Sequence, residues 1–289
     1  MFQLQIEQCH RDEIELLSDA LEETGALSIT LTDQYDDPIL EPAPGAAPLW
    51  PNVVVNALYM EEKEANLALT IVSEAFSHFS YSIHDLPDQD WERTCLDQFK
   101  PQQFGKRLWV CPSWLTPPDL EAVNLILDPG LAFGTGSHAT TSLCLTWLDK
   151  ADLKNKQVID YGCGSGILAL AALKLGARHV HAVDIDEQAL LATQDNAFNN
   201  DIPATDLTVS QPDTLNKPVD VLIANILLAP LLALKTRFRG LLNDGGILVV
   251  SGLLAEQVPI LIEAYQTDFV YSSTCIENDW ALVEFGTQI

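Results

Sequence analysis

The run Val158-Ile159-Asp160-Tyr161-Gly162-Cys163-Gly164-Ser165-Gly166, followed by ILALAALKLGA, constrains the fold of this chain more than any other stretch. A short apolar segment reads as a buried strand, three alternating glycines as a tight turn, and the Leu/Ala-rich run behind them as a helix. Glycine tolerates positive φ and has no Cβ to hold a ligand off the backbone, so such a turn cradles a nucleotide-like cofactor at a helix amino end. Strand-like and helical segments alternate on both sides of it: RLWVCP, NLILDPG, QVIDYG, HVHAVDID, LTVSQ, VDVLIANI, GGILVVSGL, FVYSSTC and WALVEF supply the strands. The alternation predicts an α/β, doubly wound parallel sheet that binds its ligand at the carboxyl ends of the strands.

The ligand is narrowed by charge. Asp184 closes HVHAVD, 18 residues after Gly166, where a carboxylate can accept both hydroxyls of an adenosine ribose. The dinucleotide fingerprint is GxGxxG, whereas Gly162, Gly164 and Gly166 are spaced GxGxG. Asp160 precedes the turn, and its carboxylate suits a cationic ligand and sits badly beside a pyrophosphate. S-adenosylmethionine, with a ribose, an ammonium, a sulfonium and no phosphate, fits better than a nicotinamide dinucleotide. Asp160 can also organise the turn through backbone hydrogen bonds, and the two roles are compatible.

Two further segments point to the same crevice. Leu127 to Thr141, LDPGLAFGTGSHATT, is a Gly-rich loop running into a helix. Thr141 there either starts or caps the helix or touches the cofactor, and His138 reads as a loop anchor rather than a base. Asn225, in Ala224-Asn225-Ile226-Leu227, ends the fourth parallel strand opposite the Gly-rich turn and can accept hydrogen bonds from an amine.

The amino-terminal part reads strand Phe2 to Gln8, helix Asp12 to Thr24 with Leu16, Leu17, Ala20 and Leu21 as its apolar face, and strand Ala26 to Asp33, with Gly25 ending the helix. After a Pro-rich loop come strand Val53 to Met60, helix Glu62 to Phe79 and strand Tyr81 to His84. This β-α-β-β-α-β order predicts a smaller α+β, ferredoxin-like domain over 1–86. A linker with a short helix and a loop follows over 87–105, and the larger domain spans 106–289.

Composition excludes several partners. The 289 residues carry 15 Lys and Arg against 41 Asp and Glu, a net charge of −26, which repels nucleic acid and anionic membrane and permits a basic protein. Residues 1–50 hold one basic residue, Arg11, against eleven acidic ones. The most apolar window, Val221 to Leu234, contains Asn225 and Pro230 and is too short to span a bilayer. MFQLQIEQCHRDE is no secretory signal, so a cytoplasmic location is expected. Cys9, Cys95, Cys111, Cys144, Cys163 and Cys275 form no CxxC pair, so they read as reduced packing residues and no metal is expected.

Over nearly its full length the chain resembles the PrmA family of ribosomal protein methyltransferases. The likeness is carried by DWE at Asp90 to Glu92, FGKRLWVCPSW at Phe104 to Trp114, LDPGLAFGTGSHATTSLCL at Leu127 to Leu145, the turn and helix at Val158 to Ala177, and VLIANIL at Val221 to Leu227. The resemblance implies a seven-stranded, mostly parallel, Rossmann-like methyltransferase sheet. It also implies an amino-terminal domain that holds large-subunit ribosomal protein eleven, a reorienting linker, and trimethylation of lysine ε-amines and the N-terminal α-amine. By position it implies that Thr141, Gly162, Asp184 and Asn225 contact S-adenosylmethionine, with Asn225 also near the entering amine, and that Gly130, Phe133, Gly164 and Ile185 line the pocket. Related glutamine methyltransferases carry NPPY where this chain has Asn225-Ile226-Leu227-Leu228, a departure that favours an aliphatic amine over a planar amide. Other readings stay open: a nicotinamide-dependent oxidoreductase, a binding module without turnover, or a methyltransferase of another protein or a small amine.

Overall fold

The computed structural model describes residues 1–35, 37, 39, 47–87, 99–128 and 138–287. The chain divides into two compact units, Met1–Trp91 and Glu92–Ile289.

In the first unit the order is β1 (Phe2–His10), α1 (Ile14–Glu23), β2 (Ser28–Asp33), β3 (Asn52–Tyr59), α2 (Glu62–Ala75) and β4 (Ser80–Asp85). The strands form one antiparallel sheet in the order β2-β3-β1-β4, the split arrangement expected from the sequence. Alternate residues of β1 and β3, Leu4, Ile6, Val55, Ala57 and Tyr59, bury one face of that sheet against the helices. The first helix differs from its sequence reading. Residues Arg11–Glu13 are a 3₁₀ turn, and the α-helical core face is Ile14, Leu17 and Leu21. Leu16 is 65% exposed, because a residue one position before Leu17 lies about 100° around the helix from the buried stripe. Gly25, at φ +88°, stops the helix as expected, its N–H donating to the Glu22 carbonyl at 2.9 Å. The second helix ends at Ala75 instead of Phe79, and it opens on a capping box between Glu61 and Glu64.

The second unit is built on a seven-stranded sheet in the order β10-β9-β8-β11-β12-β14-β13. Its strands are β8 (Gln157–Tyr161), β9 (His179–Val183), β10 (Leu207–Ser210), β11 (Val219–Asn225), β12 (Leu242–Leu254), β13 (Val270–Glu277) and β14 (Trp280–Gly286). From β10 to β12 all neighbours are parallel, and β14 and β13 are antiparallel to the strands beside them. The winding reverses between β8 and β11, which opens a crevice at their carboxyl ends. Strand residues point alternately to two cores. Val158, Val221, Ile223 and Val249 pack on the side of α3 (Ala139–Lys150) and α4 (Ile167–Lys174). Ile159, Leu222, Ala224 and Val250 pack on the side of α6 (Leu228–Gly240) and α7 (Val258–Tyr265). Helix α5 (Glu187–Asn199) joins β9 to β10.

RLWVCP and NLILDPG, expected as part of the strand–helix alternation, do not enter this sheet. They are β6 (Leu108–Cys111) and β7 (Val123–Ile126), which with β5 (Gln102–Phe104) make a separate three-stranded sheet. The segment between them holds Pro112, Pro117 and Pro118 and forms no helix, so it lacks the apolar cover that a crossover onto the large sheet needs. Phe104, Leu108 and Leu125 instead bury against Leu145 of α3 and Leu168 of α4. Asp149 ties this small sheet down: it is 5% exposed and accepts the backbone N–H groups of Lys106 and Arg107 at 2.7 and 3.0 Å. Residues 88–98 of the expected linker lie outside the described residues, and its far end, Gln102–Phe104, is strand rather than loop. Cys9, Cys111, Cys144 and Cys163 are buried as expected. Cys275 is exposed on β13, and Cys95 lies outside the described residues.

Candidate active site

The glycine turn sits between β8 and α4. Gly162 N and Cys163 N both donate to the Val183 carbonyl, at 2.8 and 3.0 Å, which fastens the turn to the end of β9. Gly166 at φ +80° is the N-cap of α4 and offers no side chain to the helix amino end. Asp160, on β8 before the turn, supplies what is missing: its Oδ2 accepts the N–H of Ala169 at 2.9 Å. Its Oδ1 has no hydrogen-bond partner, and the residue is fully buried. Burial pushes this carboxyl up to about 7; the Ala169 bond opposes the rise and the nearby Asp184 adds to it. Cys144 and Cys163 also face it, and burial raises both thiols so that they stay protonated.

Asp184 follows β9. One carboxylate oxygen accepts Gly164 N and the other Asp186 N, each at 3.0 Å, so its two oxygens are held over the middle of the turn. Ile185 beside it is 85% exposed, an apolar side chain left without cover. Thr193 of α5 donates to the Gly164 carbonyl at 3.1 Å and is the side chain a Cβ at Gly166 would strike, at 2.8 Å.

On the other side of the switch point, Asn225 ends β11. Its Nδ2 donates to the hydroxyl of Thr141 at 3.4 Å, which joins the strand end to the first turn of α3 and leaves the Asn225 Oδ1 as an acceptor. Thr141 is 1% exposed and does not cap its helix. The cap is His138, whose Nδ1 accepts Thr140 N at 3.3 Å and whose ring meets Trp280 edge-on at 4.8 Å. Burial lowers the His138 pKa, which keeps the ring neutral and able to accept. His138 is thus a helix cap, and residues 129–137 of the loop it was expected to anchor lie outside the described residues.

The structure thus gathers Asp160, Gly162, Gly164, Asp184, Thr141 and Asn225 around the carboxyl ends of β8, β9 and β11. Gly130 and Phe133 lie outside the described residues. Sequence reasoning missed Thr193, Ile226 and Gly252. A Cβ on Gly162 would stand 2.5 Å from Ile226 Cγ2, and one on Gly252 2.5 Å from the Ile226 carbonyl oxygen. A glycine inside the apolar strand pattern ILVVSGLL was the available signal for Gly252. A cavity of about 730 Å³ lies elsewhere, between Trp147 and Lys150 of α3 and the amino ends of β11 and β12, and none of the crevice residues lines it. Among the described residues no group of three His, Cys, Asp or Glu side chains is placed to hold a metal ion.

A family model, ribosomal protein L11 methyltransferase (PrmA), matches residues 1–288. The chain belongs to this family. Curated relatives agree along their whole length. A ribosomal protein L11 methyltransferase of Legionella pneumophila (strain Lens) is 58% identical over 287 residues, covering 99% of each chain. That of Nitrosococcus oceani is 48% identical, over 98% of this chain and 97% of its own. Among solved structures, a ribosomal protein L11 methylase from Lactobacillus delbrueckii subsp. bulgaricus superposes with a TM-score of 0.61 at 31% identity, covering 66% of this chain and all of that one. The PrmA membership makes the chain a methyltransferase, and the seven-stranded sheet is the class I methyltransferase sheet.

Proposed function

We propose that this PrmA-family chain transfers methyl groups from S-adenosylmethionine to large-subunit ribosomal protein L11, at lysine ε-amines and the N-terminal α-amine. The reading is carried by one arrangement, the Asp160–Gly162–Asp184 turn facing the Thr141–Asn225 pair across the β8/β11 switch point.

The residues fit the cofactor. Gly162 and Gly164 leave the backbone open, Asp184 brings two carboxylate oxygens for a ribose diol, and Ile185 offers an apolar surface for a base. The buried, unpartnered Asp160 Oδ1 favours positive charge above the turn, as an ammonium or a sulfonium provides. Gly130 and Phe133 are assigned to the cofactor by family resemblance alone. When bound, S-adenosylmethionine supplies an electrophilic methyl group on a sulfonium. The chain's own contribution is placement. Thr141 fixes the Asn225 amide so that its Oδ1 accepts an N–H of the entering amine and turns the lone pair toward the methyl. Lysine near its ordinary value of about 10.4 must first shed a proton, whereas an α-amine at about 7.7 to 8.0 gives its proton up more easily. No side chain of the crevice is required as a general base, and loss of the proton to water before docking suffices.

The acidic amino-terminal domain, 1–86, holds the basic protein substrate, and 87–105 links it to the methyltransferase domain, 106–289. No helix among the described residues is long and apolar enough to cross a membrane. Peptide mass spectrometry of purified L11, after incubation with the protein and S-adenosylmethionine, tests this reading. Methylene mass steps on lysines and on the amino terminus are expected. An unmodified L11 in the presence of a cofactor that binds would remove L11 as the substrate, and a small amine or another protein would take its place.

A further inference from the structure

Strand β12 carries one residue too many for its partner β14. Ser251 faces Leu282 and Leu253 faces Ala281, so Gly252 is the extra residue of a bulge. Its φ of +85° is left-handed, and the space a side chain would need is already filled: an added Cβ would lie 2.5, 2.8 and 2.9 Å from the O, C and N of Ile226. Backbone occupies all three positions, so no rotamer change could relieve the contact. Ile226 N also donates to the Ser251 carbonyl at 3.1 Å, and the buried Ser251 hydroxyl donates to the Ala281 carbonyl at 2.8 Å, which pins the bulge to β14. From the other side the Ile226 side chain occupies the space a Cβ at Gly162 would need, its Cγ2 standing 2.5 Å from that position. Ile226, the residue that follows Asn225, is therefore held between the cofactor turn and the β12 bulge.

We propose that Gly252 is a positioning residue for methyl transfer: its bulge sets the position of the Ile226 backbone and so the place where the preceding residue, Asn225, presents its side-chain Oδ1 to the amine. This rests on the reading of Asn225 given above. Gly252 touches neither substrate nor cofactor and acts only through Ile226. The bulge meets Ile226 through its backbone, whereas Asp184 is held by Gly164 and Asp186 and the cofactor turn meets only the Ile226 side chain, so a shifted bulge costs more in amine alignment than in cofactor affinity.

The test is steady-state methyl transfer to L11, together with S-adenosylmethionine titration and thermal unfolding, for Gly252→Ala, Ser251→Ala and Gly176→Ala. Gly176, at φ +109°, has only the Lys154 Cα near a would-be Cβ, at 3.9 Å, so its variant carries left-handed strain without a clash. Gly252→Ala is expected to lower kcat roughly 100-fold with cofactor affinity within about threefold, since misplacement by about 1 Å costs that much in rate. Ser251→Ala is expected to lower kcat several-fold in the same pattern, and it decides the matter if Gly252→Ala does not fold. Gly176→Ala is expected to lower Tm and leave kcat alone. Folded Gly252→Ala and Ser251→Ala proteins with unchanged kcat would overturn the proposal, as would a loss of cofactor affinity equal to the loss in kcat. Asn225→Ala separates the two layers: if it turns over normally, the Asn225 reading fails and takes the proposal with it, whereas a slow Asn225→Ala beside a normal Gly252→Ala condemns the bulge alone.

Discussion

Asp160 is the residue whose surroundings say most. A fully buried carboxylate with one oxygen bonded and one without a partner is costly, and the chain keeps it beneath the glycine turn. Because its folded-state pKa, about 7, lies above the ordinary carboxylate value, the native state holds a proton that the unfolded chain gives up. Unfolding free energy therefore falls as pH rises from about 4 to about 7 on account of this group. Asp160→Asn should flatten that part of the profile, read from denaturant midpoints across the window; an unchanged slope would place the titration elsewhere. Thr141→Val keeps the shape and deletes the acceptor for Asn225 Nδ2. A net hydrogen bond is worth about 0.5 to 1.5 kcal/mol, so kcat/KM for L11 should drop by about 2- to 10-fold, as rate measurements would show. At this scale the sequence was legible where a residue type is tied to a backbone need, as at Gly25 and the turn glycines. It was silent where a side chain reaches across the fold. Nothing local marks Thr141 as the partner of an asparagine 84 positions away.

Elements were legible wherever periodicity and length agreed. The strands from β8 onward announce themselves as apolar runs between turn residues, and the parallel run β8, β9, β10 and the parallel pair β11/β12 follow from the helices between them. β6 and β7 have the same composition and a different fate, because strand identity is local while sheet membership depends on what covers the faces. Leu16 shows the same limit inside one helix: four apolar residues lie close together, and only the phase of the packed stripe decides which are buried. Two stability predictions belong here. Leu222→Ala, at the fully buried centre of β11, should cost about 2 to 5 kcal/mol in denaturant unfolding, lost burial and a residual cavity acting together. Asp149→Ala leaves two backbone N–H groups of the Gly105–Arg107 turn without acceptors. With about 1 to 3 kcal/mol for each unsatisfied group, its loss should loosen the small sheet, seen as faster amide exchange in β5 and β6 before β8 is affected.

At the scale of the molecule, charge and architecture divide the labour. The unit Met1–Trp91 holds two basic residues against 18 acidic ones, a larger imbalance per residue than in the rest of the chain. If it collects a basic protein, KM for L11 should climb with ionic strength between about 0.05 and 0.3 M while cofactor affinity barely moves, since exposed charges are screened over about 10 Å at 0.1 M. A salt-independent KM would argue for an apolar docking surface instead. In the proposed function the large unit does the chemistry at its switch point, and there the glycine turn, Asp184 and Asn225 could all be placed from the sequence because strand order fixes which ends meet. The most direct measurement is calorimetric titration of S-adenosylmethionine into the wild-type protein and Asp184→Ala. One-site binding is predicted for the wild type, weakened roughly tenfold or more once the charged hydrogen-bond acceptor is removed. Equal affinity in the two proteins, or no binding to the wild type, would contradict the assignment of this crevice to the cofactor.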